Sequence, residues 1–132
     1  MWGYTAHFWA SSNGHVDIAE LLLDHGFVID AVTALDSTPL MMSCREGHSS
    51  ITKLLLDRGC KVNVVGEEFG DTALHYACYN GFTKGVKELI AQGANASIRS
   101  DNGRTPLDVA RREGQQAIVA SSWTRTLAEK EK

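Results

Sequence analysis

Apolar residues in this chain fall into short clusters that alternate between two patterns. In the first, an apolar segment begins after a threonine and ends at a glycine, as from Thr38 to Gly47. In the second, apolar residues recur three and four positions apart, as at Ile51, Leu54 and Leu55. That spacing places the side chains on one face of a helix. The alternation therefore predicts pairs of helices, a short one followed by a more strongly amphipathic one.

The pattern of helix pairs repeats at a nearly constant interval. Four matching hexapeptides, TAHFWA, TPLMMS, TALHYA and TPLDVA, begin at intervals of 33, 34 and 33 residues. They start at Thr5, Thr38, Thr72 and Thr105. A glycine follows each at the same place in the repeat, at Gly14, Gly47, Gly81 and Gly114. A fixed period of this length is typical of stacked-repeat proteins.

Residues 33–65 illustrate how one repeat is expected to fold. Thr38 is a favourable N-cap, and Pro39 suits the first position of a helix. Gly47 ends that helix, because glycine readily adopts the left-handed conformation found after helices. A second helix begins at Ser49 or Ser50, and residues 61–64 then lead out as an extended loop or hairpin arm.

A single helix pair cannot bury its own apolar stripe. When helix pairs stack, each pair covers the apolar stripe of its neighbour. Equivalent positions of the longer helices form two apolar columns, one of Ile18, Ile51 and Ile118 and one of Leu22, Leu55 and Leu89. These columns are expected to form the core.

The repeated words themselves resemble a known family. "DTALHYACYNG", "GRTPLDVARREG", "GHVDIAELLLDHG" and "SSITKLLLDRG" are similar to the ankyrin repeat. The resemblance implies an all-α solenoid of stacked helix-turn-helix units with loop or β-hairpin arms. It places a truncated repeat at about 1–32 and others at 33–66, 67–99 and 100–120, followed by a C-terminal capping helix and charged tail over 121–132. The function it implies is non-catalytic protein–protein interaction.

Composition narrows the range of partners. The 132 residues are 43% hydrophobic and 22% charged, with a net charge of −3. A negative net charge does not indicate the basic face that is typical of nucleic-acid binders. No apolar run approaches the ~18 residues that are needed to span a bilayer. Cys44, Cys60 and Cys78 form no CxxC pair, so we interpret them as small buried hydrophobes and not zinc ligands. An odd number of thiols suits a reducing compartment. We expect an intracellular protein, cytoplasmic or nuclear, without cofactor, metal, nucleic acid or membrane partner.

The resemblance also indicates a binding surface. In ankyrin-like proteins, partners meet the arm tips and the exposed side of the short helices, which together line a concave face. The matching positions here are Tyr4, Ser12, Leu35, Arg45, Phe69, Asp71, Tyr79, Arg104 and Arg112. Arginine and aromatic residues are enriched at binding hot spots. The predicted partner is a protein or peptide with apolar or aromatic anchors and a carboxylate, which arginine binds through two hydrogen bonds. Ordinary variation of solvated positions is the alternative interpretation.

Three residues depart from the repeat pattern or add to it. Gly85 stands in the isoleucine column, where either Phe82 fills the space or a small groove remains for a partner. Gly66 is the extra residue that lengthens one interval to 34. Asn63 resembles the hairpin asparagine that is hydroxylated in some ankyrin proteins, although Lys61 departs from the acidic residue usual there.

The two ends of the chain leave alternatives open. Trp2, Tyr4, Phe8 and Trp9 open the first repeat. Either the chain is cut from a longer array, or these aromatic residues form a cap or binding patch. Self-association would then use this edge, although a monomer is expected. Trp123 is expected to fold back on the preceding helix.

Catalysis is not expected from this sequence. The G-x-S-x-G elbow and the GK[ST] ending of a phosphate loop are absent from the chain, although both are common marks of enzymes. His75 lies three residues after Thr72 and is expected to bond to the turn. A compatible alternative is that the chain is a targeting or regulatory segment of a larger enzyme, channel or scaffold.

Overall fold

A computed structural model describes residues 10, 13–32, 37–66 and 69–120. These contain helices α1 Val16–Asp24, α2 Pro39–Glu46, α3 Ser49–Asp57, α4 Ala73–Tyr79, α5 Thr83–Ala91, α6 Pro106–Arg112 and α7 Gln116–Val119. The described arms are loops in which no strand is formed. The prediction of an all-α repeat structure is therefore confirmed.

The short helices α2, α4 and α6 begin at the predicted threonines. Thr38, Thr72 and Thr105 each accept a hydrogen bond from the backbone N–H three residues later. These side-chain oxygens pair with N–H groups that have no partner within the helix. Gly47 follows α2 with φ of 72°, the left-handed conformation expected of a C-terminal glycine. The sequence signals for the helix ends are thus confirmed.

The helices form two layers. The first helices of the repeats, α2, α4 and α6, pack side by side in that order, and the second helices stack as α1, α3, α5, α7. Each first helix also contacts the second helix that follows it in its own repeat. We call the layer of α2, α4 and α6 the inner layer. Because each repeat contacts mainly its neighbours, the fold is a solenoid.

The predicted core columns hold over most of the stack. Ile51, Leu55, Leu89 and Ile118 are buried, whereas Leu22 is half-buried and Ile18 is 40% exposed. The prediction is wrong for Ile18. This residue lies on α1, the second helix of its repeat. Within the described chain, α1 packs against another second helix on one side only, α3.

Gly85 is explained by its neighbour. It is buried on α5, and a Cβ atom built on it would overlap the ring of Phe82. Phe82 itself is partly buried against the core. The interpretation that Phe82 fills the space is confirmed, and the alternative of a groove at this position is wrong.

Successive arms are joined by side-chain hydrogen bonds at equivalent positions. The Asp30 carboxylate accepts the Lys61 N–H at 2.9 Å. One repeat later, Asn63 Oδ1 accepts the Asn95 N–H at 2.7 Å, and Asn63 Nδ2 donates to the Gly93 oxygen at 3.2 Å. These bonds fix the arms relative to one another on the side of the fold away from the helix turns.

The extra residue of the 34-residue interval lies in a closed loop. Gly66 donates its N–H to the Asp71 carbonyl oxygen at 2.9 Å, and Gly70 donates to the Gly66 oxygen at 2.9 Å. The insertion is therefore taken up after Asn63, beyond the arm-to-arm bonds.

Several predictions concern residues outside the described ranges. They are Trp2, Tyr4, Phe8, Trp9, Ser12, Leu35, Trp123 and the segment 121–132. The repeat boundaries stay predictions as well. Among the helices of the described ranges, none is long and apolar enough to cross a membrane.

Candidate partner-binding surface

Six of the nine residues predicted to bind a partner line one pocket on the inner layer. They are Arg45, Phe69, Asp71, Tyr79, Arg104 and Arg112. The cavity has a volume of about 530 Å³, within the range of roughly 300–1,000 Å³ common for ligand pockets. We call it the inner pocket. Tyr4, Ser12 and Leu35 lie outside the described residues.

The repeat fold places these side chains at two sides of the pocket. Arg45, Tyr79 and Arg112 lie in the last turns of α2, α4 and α6, and we call this the helix-end side. Phe69, Asp71 and Arg104 lie in the arms just before the N-caps of α4 and α6, and we call this the arm side. The seven residues of α4 separate the two sides, a distance of about 10 Å at 1.5 Å per residue.

Three aromatic residues, Phe69, Tyr76 and Tyr79, line the pocket. Phe69 and Tyr79 are 59% and 55% exposed, whereas Tyr76, on α4, is half-buried. The Phe69 carbonyl oxygen accepts the Asp101 N–H at 3.0 Å, which anchors its backbone to the next arm. Exposed rings on an anchored backbone offer large contact area with little loss of conformational freedom.

The pocket arginines have no carboxylate partner within the part of the chain that the structure describes. The ion pairs formed there use Arg58, which binds Asp24 at 2.8 Å and Glu20 at 3.7 Å, and Arg99, which lies 3.8 Å from Asp108. Arg45, Arg104 and Arg112 form none of these pairs. Their guanidinium groups therefore retain the capacity to bind a carboxylate of a ligand.

His75 is a buried residue that lines the pocket and joins two repeats. Its Nδ1 accepts the Thr72 N–H at 3.1 Å, so the proton is on Nε2, which donates to the Arg104 oxygen at 2.9 Å. Burial lowers the pKa of His75, partly offset by the nearby Asp71 carboxylate. The ring is therefore neutral near pH 7, and its predicted structural role is confirmed.

Asp71 is the acidic group of the arm side. It is half-buried, and its burial raises the pKa of the carboxyl group. His75 acts in the opposite direction and lowers this pKa, whereas Asp101 raises it further. No ion pair involving Asp71 occurs among the described residues. The carboxylate thus lies in an environment that disfavours its charge without a paired cation.

The pocket is also lined by residues outside the predicted binding set, among them Tyr76 and Val109. Tyr76 and Val109 occupy the fifth position of their hexapeptides, next to the buried alanines Ala77 and Ala110. The equivalent Met42 is buried. The signal available was the spacing of Tyr76 and Tyr79, three residues apart on α4, which places both rings on neighbouring parts of one helix face.

The cysteines are part of the core. Cys44, Cys60 and Cys78 are buried, and burial raises the pKa of each thiol to about 12. A thiol with so high a pKa is not a nucleophile near pH 7. Across the described ranges, no group of three His, Cys, Asp or Glu residues is arranged to hold a metal ion.

Comparison with known families identifies the class of protein. The sequence model for ankyrin repeats (3 copies) matches residues 2–66 and 63–121. The chain belongs to the ankyrin repeat family, and the resemblance of its repeated words to that family is confirmed. Ankyrin repeats are protein-interaction modules, and their fold is non-catalytic.

Individual relatives carry such repeats in different settings. The chain is 44% identical over 108 residues to ankyrin repeat and SOCS box protein 3 of Bos taurus, covering 82% of this chain. It is 33% identical over 102 residues to the probable E3 ubiquitin-protein ligase XBOS33 of Oryza sativa subsp. japonica, covering 77%. It is 30% identical over 114 residues to the transient receptor potential cation channel subfamily A member 1 homolog of Caenorhabditis elegans, covering 83%.

The chain spans only a small part of these relatives. It matches 21% of the length of the bovine protein, 19% of the rice protein and 9% of the nematode channel. The shared feature is therefore the repeat array.

Proposed function

We propose that this chain binds a segment of another protein in the inner pocket and performs no chemistry on it. The observation that carries the proposal is the convergence of six residues, chosen by their repeat positions, on one cavity. Membership of a family of interaction modules supports the same function.

The residues of the pocket favour a partner with two kinds of group. Apolar or aromatic anchors fit against Phe69 and Tyr79, because these rings are exposed and otherwise have no core to pack in. A carboxylate fits the helix-end side, where Arg45 and Arg112 are without ion pairs among the described residues. Arginine binds carboxylates through paired, charge-assisted hydrogen bonds.

Rigidity of the pocket favours binding. The inner helices have capped N-termini, and His75 bonds α4 to the backbone before α6. A surface formed before the partner arrives loses less conformational entropy on binding. The chain therefore acts by presenting a preformed surface.

The setting we propose is a targeting or regulatory segment of a larger intracellular protein. The relatives support this because the same repeats occur in proteins named as an E3 ligase and as a cation channel, as well as in a SOCS box protein. Three buried, unpaired thiols agree with a reducing compartment. Detection of the endogenous protein and its size by immunoblot of fractionated cells tests both points.

Selection from a library of random peptides displayed on phage tests the binding function. Synthetic copies of the selected peptides are titrated by fluorescence anisotropy against the wild type and the triple variant Arg45→Glu, Phe69→Ala, Tyr79→Ala. We expect the triple variant to lose more than about 30-fold in affinity, since a single hot spot contributes at least ~2 kcal/mol. Circular dichroism verifies that the variant is folded.

A matched control uses exposed residues that do not line the pocket. The double variant Arg111→Glu, Val65→Ala changes a charge on α6 and an apolar side chain on an arm. It should bind the peptides as the wild type does. Equal binding by the folded triple variant would place the site elsewhere and refute the proposal.

A further inference from the structure

We propose that the arm side of the inner pocket is a subsite for a cationic side chain of the partner, bound by the Asp71 carboxylate beside the rings of Phe69 and Tyr76. The inference rests on the proposed function, because it assigns a ligand group to the same pocket. It adds a basic residue to the apolar and acidic groups already expected of the partner.

The first argument is the position of the Asp71 carboxylate. Its residue lines the pocket, is half-buried and forms no ion pair within the described chain. Its backbone oxygen accepts the Gly66 N–H at 2.9 Å, and the next residue, Thr72, caps α4. The carboxylate is therefore held on a fixed backbone. Partial burial disfavours a charge that has no counterion, and a cation of the ligand would reduce that cost.

The second argument is a second acidic residue behind the first. Asp101, on the next arm, is close enough to Asp71 to raise the pKa of its carboxyl group. The arms approach closely here, since a Cβ atom on Gly70 would lie 2.9 Å from the Asp101 backbone nitrogen. Asp101 does not itself line the pocket, but its charge adds to that of Asp71 from the next arm.

The cations of the arm side do not cancel this charge. His75 is neutral, because its Nδ1 accepts a hydrogen bond from an N–H group. Arg99 is engaged by the Gly103 oxygen at 2.8 Å and lies 3.8 Å from Asp108. Arg104 lines the same pocket, but it forms no ion pair with Asp71. Asp71, Asp101 and Arg104 together leave one formal negative charge.

The opposite side of the pocket has the opposite sign. Arg45, Arg112 and Glu113 line the helix-end side and leave one formal positive charge there. A bipolar ligand complements this arrangement, with its basic group at the arm side and its acidic group about 10 Å away along α4. Complementary charge fixes the orientation of a bound partner.

The rings beside Asp71 suit the same ligand group. Phe69 lies two residues before Asp71, and Tyr76 lines the same pocket from α4. Aromatic faces attract ammonium and guanidinium groups. A lysine or arginine side chain can thus bind its charge to the carboxylate while its apolar stem contacts the rings.

Phage selection with a library of random peptides tests the subsite. The proteins compared are the wild type, the near-isosteric variant Asp71→Asn and the control Asp57→Asn, whose exposed residue ends α3 away from the pocket. We expect wild-type and control selections to be enriched in lysine or arginine at a fixed spacing from an acidic residue. Selection on Asp71→Asn should keep the acidic position and lose the basic one.

A double-mutant cycle gives the size of the effect. Replacing the enriched lysine of a selected peptide by methionine should weaken binding to the wild type about tenfold, the effect of one charge-assisted hydrogen bond. Binding to Asp71→Asn should be insensitive to that replacement. Peptides that bind the wild type without a basic preference, or an unchanged preference in Asp71→Asn, overturn the subsite alone. Failure to select any binding peptide overturns the proposed function and the subsite with it.

Discussion

The side chain of His75 reaches from α4 to the backbone oxygen of Arg104, 29 residues later, at 2.9 Å. The same ring accepts the Thr72 N–H at the start of its own helix. One buried imidazole therefore satisfies polar groups of two consecutive repeats and positions Arg104 at the arm side of the pocket.

Replacing His75 by alanine should lower the free energy of unfolding by about 2–3 kcal/mol, because two backbone groups lose their partner in a buried site. Urea unfolding followed by circular dichroism measures the change. His25→Ala is the control, since the bond of that exposed ring among the described residues is to the Leu21 oxygen one turn earlier. Equal stability of the two variants would contradict the role assigned to His75.

Stability should fall as the solution is acidified through the range in which His75 titrates. The folded-state pKa is lowered from 6.5, so the unfolded chain binds a proton first as pH decreases. The contribution of the neutral ring is complete above about pH 6.5 and is lost as pH falls through the folded-state pKa. Urea titrations at about pH 7.5 and 5.5 should show a smaller difference for His75→Gln than for the wild type. An equal difference would assign the pH dependence to other groups.

Alanine at Gly85 should destabilise the protein although alanine favours helices. The added Cβ overlaps the ring of Phe82, and overpacking typically costs about 1–3 kcal/mol. In a Phe82→Ala background the same change should instead stabilise by up to ~1 kcal/mol, the intrinsic helix preference. Unfolding free energies of the four proteins in this cycle measure the coupling. Additive effects would show that the two residues are not in contact.

Two substitutions of Asn63 should distinguish the contributions of its Oδ1 and Nδ2 hydrogen bonds to stability. Asn63→Asp keeps the Oδ1 acceptor for Asn95 and removes the donor to Gly93, whereas Asn63→Ala removes both. We expect losses of roughly 0.5 and 1 kcal/mol, since these bonds are exposed. Thermal unfolding of the two variants beside the wild type measures the order. The reverse order would show that a carboxylate facing the Gly93 oxygen costs more than the Oδ1 acceptor contributes.

Tyr79→Ala should leave the fold intact and weaken binding of the peptides selected on the inner pocket. The ring is 55% exposed, and exposed substitutions usually change stability by less than ~0.5 kcal/mol. Loss of a hot spot costs at least ~2 kcal/mol of binding free energy. A melting curve and an anisotropy titration on the same sample separate the two effects. Unfolding of the variant would show that Tyr79 belongs to the core.

Local residue chemistry made much of the fold predictable. Thr38, Pro39 and Gly47 act within one helix, so their sequence spacing is enough to locate its ends. The columns of Ile51 and Leu55 follow from the repeat period, which assigns each residue the same environment as its equivalents. Ile18 does not follow this rule because it lies at one end of the described stack. Its equivalents Ile51 and Ile118 are covered by a preceding helix, and no such helix precedes α1 among the described residues.

The sequence was sufficient to predict six of the residues that line the candidate site, but not how their charges are paired. Repeat positions led to Arg45, Tyr79 and Arg112, which do line one pocket. The sequence contains no signal that Asp71 lacks a paired cation among the described residues or that Arg99 pairs with Asp108, since both depend on distances between side chains in the folded chain. Their partner-binding role stays a prediction.

The arm bonds of Asp30 and Asn63 also define how repeats can be exchanged. In each bond, a side-chain oxygen of one repeat accepts the backbone N–H of the next arm. Every residue except proline has this N–H, so any other residue of the following repeat can be the donor. The bond therefore does not depend on the side chain of the donor residue. A foreign repeat grafted after residue 66 would connect at this joint through its main chain alone, whatever surface it carries.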